Sequence, residues 1–303
     1  MRKRKIELRS SGLFSEPGFL HWQGAYSELR KDGISIALFG ENKWLSPLRA
    51  PFGGFVFEED FSAEKFRSFL ELFDDSALER AILSIEIQSP AGFYFQSHFE
   101  AFMHILTEHG FVEIFNDLNF HLPVDRPFIQ HLHHSEQWKL RKASKLGFSF
   151  RQVMVPDIAF VHAFILASRQ RKGYLLSMTK EALDSVFTAF PGRYRVWEVL
   201  SPEGKVAALA VSVLVSREVE YLFYTADDPQ FRQVSPVVML HEGIYKVISE
   251  EGKEILDLGT ASLQGDVNKG VADFKRFLGG IESRKIRFRK TWNQVSAKNP
   301  AGK

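Results

Sequence analysis

The sequence predicts two related α/β domains in one chain. Three observations carry this: apolar stripes at helical spacing, short runs rich in branched and aromatic residues, and an element order in the first half that recurs in the second. Phe66, Phe69, Leu70 and Phe73 follow i, i+3, i+4, i+7, as do Phe99, Phe102, Met103 and Leu106, and Leu183, Val186, Phe187 and Phe190. Each set is one buried face of an amphipathic helix. Gly110 and Gly252, in "EHG" and "EEG", supply left-handed caps that end helices. "GISIALFG", "RAILSIEI", "YRVWEVL", "KVAALAVSVLV" and "VEYLFYT" read as strands, with "SPEG" (201–204) as a turn between two of them.

In order, the first half reads as strands near 34–39 and 52–57, helix 64–73, strand 81–87, helix 98–109 and strand 111–122. The second reads as strand 148–154, helices 157–168 and 180–189, and strands 194–200, 205–215 and 219–225. Helix 236–250, strand 254–258, helix 271–278 and strand 282–289 follow. A strand–helix–strand–helix–strand run of similar length occurs in both halves, which implies duplication. The expected domains are 1–128 and 129–303, joined around "PVDRPFIQHLHH" (123–134).

Composition removes several function classes. The chain has 303 residues, and 29 phenylalanines supply ample core material. A net charge of +2 argues against a polybasic nucleic-acid binder. Two basic segments, "MRKRKIELR" and "SRKIRFRK", are either solvated or a rim facing an anionic ligand. Without cysteine, disulfides, thiolate catalysis and Cys-ligated metal are excluded. His131, His133 and His134, with Glu136 near by, match no standard ligand spacing, so no metal is expected. No apolar run is long enough to span a membrane, and the basic start lacks the apolar stretch of a signal peptide. The expected location is cytoplasmic.

The element order of the second half resembles the GNAT N-acyltransferase fold, and two such domains in tandem resemble its FemAB-like branch, which includes the peptidoglycan aminoacyltransferases. "LSPLRAPFGGFVF" (45–57) resembles a first-domain segment of that group, and "EQWKLRKASKLGF" (136–148) resembles the basic helix that opens the second domain. "EILDLGTAS" (254–262) followed by "GVADFKRFLGG" (270–280) resembles the closing strand and Phe-Lys-x-Phe helix. The resemblance covers nearly the whole chain past residue 20 and implies an α/β (α+β) protein of two GNAT-like domains in tandem, each a mixed, mostly antiparallel sheet flanked by helices. One departure stands out. Where GNAT enzymes keep a glycine-rich turn for the CoA pyrophosphate, this chain has "RQVSPV" (232–237), with Ser235 and Val237 in the glycine positions.

The resemblance implies transfer of an acyl or aminoacyl group to an amine by direct attack, with no permanently bound cofactor. Acyl-CoA (or acyl carrier protein) or aminoacyl-tRNA would be the co-substrate. An amine-bearing small molecule or cell-wall precursor would be the acceptor. Such chemistry needs a neutral amine, donors for an oxyanion and a proton for the leaving group. Lys275 is the candidate charge stabiliser; read alone, it is equally a lysine bordering an apolar stripe. Tyr221 and Tyr224 lie three apart on one strand, so they are expected on opposite faces, with Tyr224 as proton donor. Asp257 is a base or amine holder, or it satisfies the next loop, where Gly259 permits close backbone approach. Ser235, before Pro236, suits a helix N-cap, and with Arg232 it would hold a phosphate or carboxylate. Arg171, Lys172 and Arg49 are candidates for binding an anionic acceptor. Trp138, Arg141, Lys142 and Lys145 share one helix face that could meet RNA phosphates or simply be solvated. A non-catalytic ligand-binding protein that keeps the fold is the alternative.

Overall fold

A computed structural model describes residues 12–292. In chain order the elements are α1 (Pro17–Gln23), β1 (Ser27–Lys31), β2 (Ile34–Leu38), β3 (Lys43–Ser46), β4 (Phe55–Phe57), α2 (Ala63–Glu79), β5 (Ser84–Ala91), α3 (Phe99–Glu108) and β6 (Val112–Pro123). Next come α4 (His134–Lys145), β7 (Ser149–Val153), α5 (Ile158–Arg171), α6 (Lys180–Ala189), β8 (Tyr194–Leu200), β9 (Val206–Leu214) and β10 (Val219–Asp227). The chain closes with α7 (Pro236–Glu250), β11 (Ile255–Thr260), β12 (Ser262–Leu263), β13 (Asp266–Val267), α8 (Lys269–Phe277) and β14 (Ile281–Thr291). The basic segment at residues 1–9 lies outside the described residues. No helix among the described residues is long and apolar enough to cross a membrane.

Two compact units divide the chain: Met1–Asp117 with Arg284–Lys303, and Leu118–Ser283. The boundary expected at 128/129 therefore falls inside the second unit, and the final strand, expected to complete the second domain, belongs from residue 284 to the first. The physical reason is pairing: Lys285–Thr291 runs antiparallel to β5. Residues 123–134 are not a loose linker. Phe128, His131 and Leu132 are buried, and the Tyr245 hydroxyl on α7 donates to the Arg126 carbonyl at 2.7 Å. Arg126 Nε donates to His131 Nδ1 at 3.3 Å, which leaves His131 Nε2–H to meet the Tyr245 oxygen at 3.1 Å. His133 stacks on Phe277 with ring centroids 4.8 Å apart.

The first unit holds a three-stranded antiparallel sheet, β1-β2-β4, and the strand run β3-β5-β14-β6. Its core is aromatic: Phe55 sits among Phe66, Phe69, Phe73, Phe102 and Phe111, with centroids 5.0 to 6.3 Å away. The α2 stripe runs past Phe73 through Ser76 and Ala77, buried residues too small to mark an apolar period. Strands β1 and β3 go unseen in the sequence because they are short, β1 carrying charge at Glu28, Arg30 and Lys31 and β3 spanning only four residues. The basic stretch of β14 is paired rather than a free rim: Arg284 meets Glu113, Arg289 meets Glu86 and Lys290 meets Asp74.

In the second unit the strand order is β6-β11-β10-β9-β8-β7, antiparallel except for the β10–β11 pair. One sheet face carries Trp197, Val199, Ala208, Ala210, Leu222, Leu256 and Leu258, packed against Val238, Leu240 and Ile244 of α7 and Leu140 of α4. Helices α5 and α6 cover the other face. At Gly243 of α7 an added Cβ would fall within the Phe150 ring, which itself stacks on Trp197 at 5.9 Å. Gly243→Ala should therefore destabilise the protein by about 1–3 kcal/mol through overpacking. A thermal midpoint equal to wild type would overturn this account of the α7–β7 contact.

Candidate active site

The parallel ladder between β10 and β11 covers only Val219–Tyr221 against Ile255–Asp257. Directly beyond it each strand is irregular: β10 shifts register against β9 between Leu222 and Tyr224, and β11 shifts against β6 between Asp257 and Gly259. The extra residue in β10 corrects the expectation for its tyrosines. Tyr221 stands opposite Val213 and Tyr224 opposite Val211, two residues apart on β9, so both tyrosines share one face. That face also carries Tyr194 opposite Val213, and Asp257 between Tyr221 and His121. His121, Asp257, Tyr221 and Tyr194 thus form a polar row on the α5 side of the sheet.

Burial raises the pKa of Tyr194, Tyr221 and Tyr224 above the ordinary phenol value, so all three stay protonated donors near neutrality. The Tyr224 hydroxyl is held by Ser177 Oγ at 2.5 Å, and the Arg169 guanidinium lies 5.5 Å from its ring centroid. Ser177 sits in the strap between α5 and α6. A second tie from that strap joins the Tyr174 hydroxyl to Asn268, the N-cap of α8.

The Lys275 ammonium is aimed at the strand end. Its Nζ donates to the carbonyls of Gly259 at 2.9 Å and Thr260 at 2.8 Å. From the other side Asp257 Oδ1 accepts the Gly259 N–H at 2.9 Å and Asn119 Nδ2 at 3.0 Å. Gly259 has φ +74°, a left-handed conformation that a side chain disfavours, and an added Cβ would touch the Leu222 carbonyl and the Tyr221 ring. Lys275, Asp257, Gly259 and Tyr221 are therefore brought together, with Tyr224 on the same sheet face as Tyr221 and Asp257. Sequence reasoning missed Asn119, His121 and His241. His241 on α7 is buried, donates from Nδ1 to the Val237 carbonyl at 2.7 Å and meets the Phe274 ring edge-on. Burial lowers its pKa to about 4, and the Lys275 charge pushes the same way. Burial lowers the His121 pKa as well, opposed by Asp257.

The predicted anion-binding residues are arranged differently. Arg232, Lys172 and Arg171, assigned to donor and acceptor separately, converge on Asp227 at the end of β10. Arg232 Nε donates to Oδ2 at 2.8 Å, Lys172 Nζ to Oδ1 at 3.0 Å, and Arg171 to the Asp227 carbonyl at 2.5 Å. Burial pushes the Asp227 carboxyl up, but the bonds from Arg232 and Lys172 outweigh it and hold the pKa below the ordinary value. Ser235 is the N-cap residue of α7, yet its side chain makes no capping bond. Its backbone is left-handed, φ 55° and ψ 57°, the conformation a glycine would supply. Arg49 lies exposed in the first unit, where its N–H donates to the buried Gln23. On α4, Lys142 packs over the exposed Trp138 at 5.2 Å and donates to the Gln233 carbonyl at 3.1 Å, beside Arg232 in sequence.

An αα-β-β-β-α-β-α succession whose parallel ladder opens at a lysine-held strand end defines an acyltransferase-type fold of the GNAT class. Residues 134–276 match the acetyltransferase (GNAT) domain. The whole fold is similar to the crystal structure of FemX, at 15% identity and a TM-score of 0.72 over 95% of this chain and 94% of that one. It is also similar to the C-terminal domain of a putative lysylphosphatidylglycerol synthetase from Agrobacterium fabrum, at 14% identity and a TM-score of 0.59 over 90% and 86%. A tandem GNAT protein from the clavulanic acid biosynthesis pathway is similar at 13% identity and a TM-score of 0.50 over 88% and 83%. No curated protein sequence matches the chain. The fold is thus that of the FemAB-like tandem GNAT group, as the sequence motifs implied.

His241 gives the domain a pH dependence. Its pKa is about 4 in the folded protein against 6.5 unperturbed. Its proton favours the unfolded chain between those values, so its contribution is complete above the unperturbed pKa. That contribution is lost as pH falls toward the folded pKa, by up to about 3 kcal/mol. Urea midpoints measured from about pH 7 to 5 should fall more steeply for wild type than for His241→Asn, which cannot take a proton. Parallel profiles would overturn the assignment; the shared slope from other histidines cancels in the difference.

Proposed function

We propose that this chain is an N-acyltransferase that moves an acyl or aminoacyl group to an amine acceptor by direct attack. The observation that carries this reading is the Lys275 ammonium on the Gly259 and Thr260 carbonyls, at the point where β10 and β11 stop pairing. In the reaction the neutral amine nitrogen forms a bond to the acyl carbon, and negative charge develops on the acyl oxygen. Collapse breaks the bond to the leaving group, which takes a proton, while the new amide loses one. A fixed positive charge beside that oxygen lowers the barrier without reorganisation. Lys275 supplies the charge. Tyr224, kept protonated by burial, supplies the leaving-group proton. Asp257 holds the Gly259 peptide against which the donor lies.

The donor reading follows from the loop before α7. The left-handed Ser235 keeps a glycine-like turn, and Arg232 is half exposed beside it. A donor carrying phosphates, of the acyl-CoA class that GNAT domains use, fits that turn, with Lys172 and Arg171 on the same side through Asp227. Aminoacyl-tRNA is the second donor class, for which the basic face of α4 is the support. Arg49 remains our candidate for an anionic part of the acceptor, and a cell-wall precursor is one acceptor of that kind.

Two measurements test this. Stability should rise in the presence of CoA, acyl-CoA or charged tRNA, by about 2.7 kcal/mol for a ligand at a hundredfold its dissociation constant. No shift with any of them would remove the support for the enzyme reading. With an acyl donor and amine acceptor identified, Lys275→Met should lower turnover on the order of 100-fold, as loss of one charge-stabilising donor does elsewhere. An undiminished rate would leave a binding protein that keeps the fold.

A further inference from the structure

We propose that Asn119 is a positioning residue for Lys275, acting through Asp257 and the Gly259 peptide. The second half of β6 reads Leu118-Asn119-Phe120-His121-Leu122. Phe120 and Leu122 pack in the α7-side core, so Asn119 points to the opposite face. Asn119 is fully buried and lies opposite Thr260 in the β6–β11 register. Its Nδ2 donates to Asp257 Oδ1 at 3.0 Å and to the Phe120 carbonyl at 3.3 Å. The same carboxylate oxygen accepts the Gly259 N–H at 2.9 Å, and the carbonyl of Gly259 accepts from Lys275 at 2.9 Å. A chain of bonds therefore runs from β6, through one carboxylate and one peptide, to the ammonium.

Nothing in simple packing requires an amide there. Its Oδ1 has no hydrogen-bond partner, an expensive state for a fully buried amide. A leucine of similar shape would fill the space without that penalty. What the amide supplies is its N–H, and the N–H fixes which way the Asp257 carboxylate turns. With Asp257 turned, the Gly259 N–H is taken, the left-handed peptide is locked, and its carbonyl faces α8. Lys275 then finds two carbonyls, of Gly259 and Thr260, spaced for one ammonium. The functional meaning of this positioning rests on Lys275 acting as the charge stabiliser.

The test reads Lys275 itself. Full-length protein is acetylated with limiting acetic anhydride, and peptide mass spectrometry compares Lys275 with the exposed Lys246. Relative labelling of Lys275 should rise about fivefold in Asn119→Leu and in Asp257→Asn, the factor one ordinary hydrogen bond is worth. Because both act along one path, the double variant should label no faster than Asp257→Asn alone. Unchanged Lys275 labelling in a cooperatively melting Asn119→Leu protein overturns the proposal, and so do effects that multiply in the double variant. If Asn119→Leu does not fold, Asn119→Ala removes the donor without adding bulk and carries the same test. In the wild-type chain the Gly259 amide must also resist hydrogen exchange; free exchange there overturns the proposal without any substitution. Labelling does not depend on turnover. A Lys275→Met protein that still transfers would sink the functional reading alone and leave the positioning claim to the labelling result.

Discussion

Two strand irregularities that face each other across one short parallel ladder set the arrangement of the second unit. A parallel pair that continued past Tyr221 and Asp257 would spend the Leu222 and Gly259 backbone groups on each other. The extra residues in β10 and β11 end the pairing, and the backbone groups so released must find other partners. On β11 they find Asp257 for the N–H and Lys275 for the carbonyl. On β10 the inserted residue turns Tyr224 to the side of Tyr221. One departure from regular pairing thus gathers the lysine, the carboxylate and the phenols.

Charge compensation explains why so polar a region is stable. An isolated buried carboxylate would be costly by several kcal/mol, yet Asp257 accepts two N–H donors and lies near an ammonium held through the same peptide. Asp227 balances Arg232 and Lys172 in the same manner. The two faces of the sheet divide the labour. The α7 side is mostly apolar and supplies cohesion, with Trp197 and Leu240 wholly buried and a buried carboxylate, Glu220, paired with Arg195. The α5 side carries the tyrosines, Asp257 and His121, closed over by the strap that holds Ser177 and Tyr174.

How much of this was legible depends on what a single strand or helix reveals of itself. α7 and β8 are readable to the residue, because Pro236 opens one and turn residues flank the other. β1 was missed although Asp32 and Gly33, both left-handed, form the tight turn after it. Strand bulges leave no mark on alternation, since an inserted residue looks like any other; hence the wrong faces for Tyr221 and Tyr224. The partners of Lys275 are backbone carbonyls, which no side-chain pattern can announce. Asn119 and His121 were within reach: "LNFHL" alternates strictly, and polar residues on the inner beat of a buried strand ask for partners. Arg232, Lys172 and Arg171 were seen as cations, but only the fold shows that they share Asp227.

The place of β14 sets the order in which the two units can be completed on the ribosome. Residues 118–283 are continuous, so the second unit is complete as soon as they have emerged. The first unit must wait: β14 stands between β5 and β6, and until residue 291 is available both strands keep an unsatisfied edge. Synthesis thus begins the N-terminal unit first and completes it after the second, its core lacking Ile286, Phe288 and Trp292 while residues 118–283 are added. A nascent chain in that state would present Phe288-lacking hydrophobic surface to chaperones, and the last strand works as the seal.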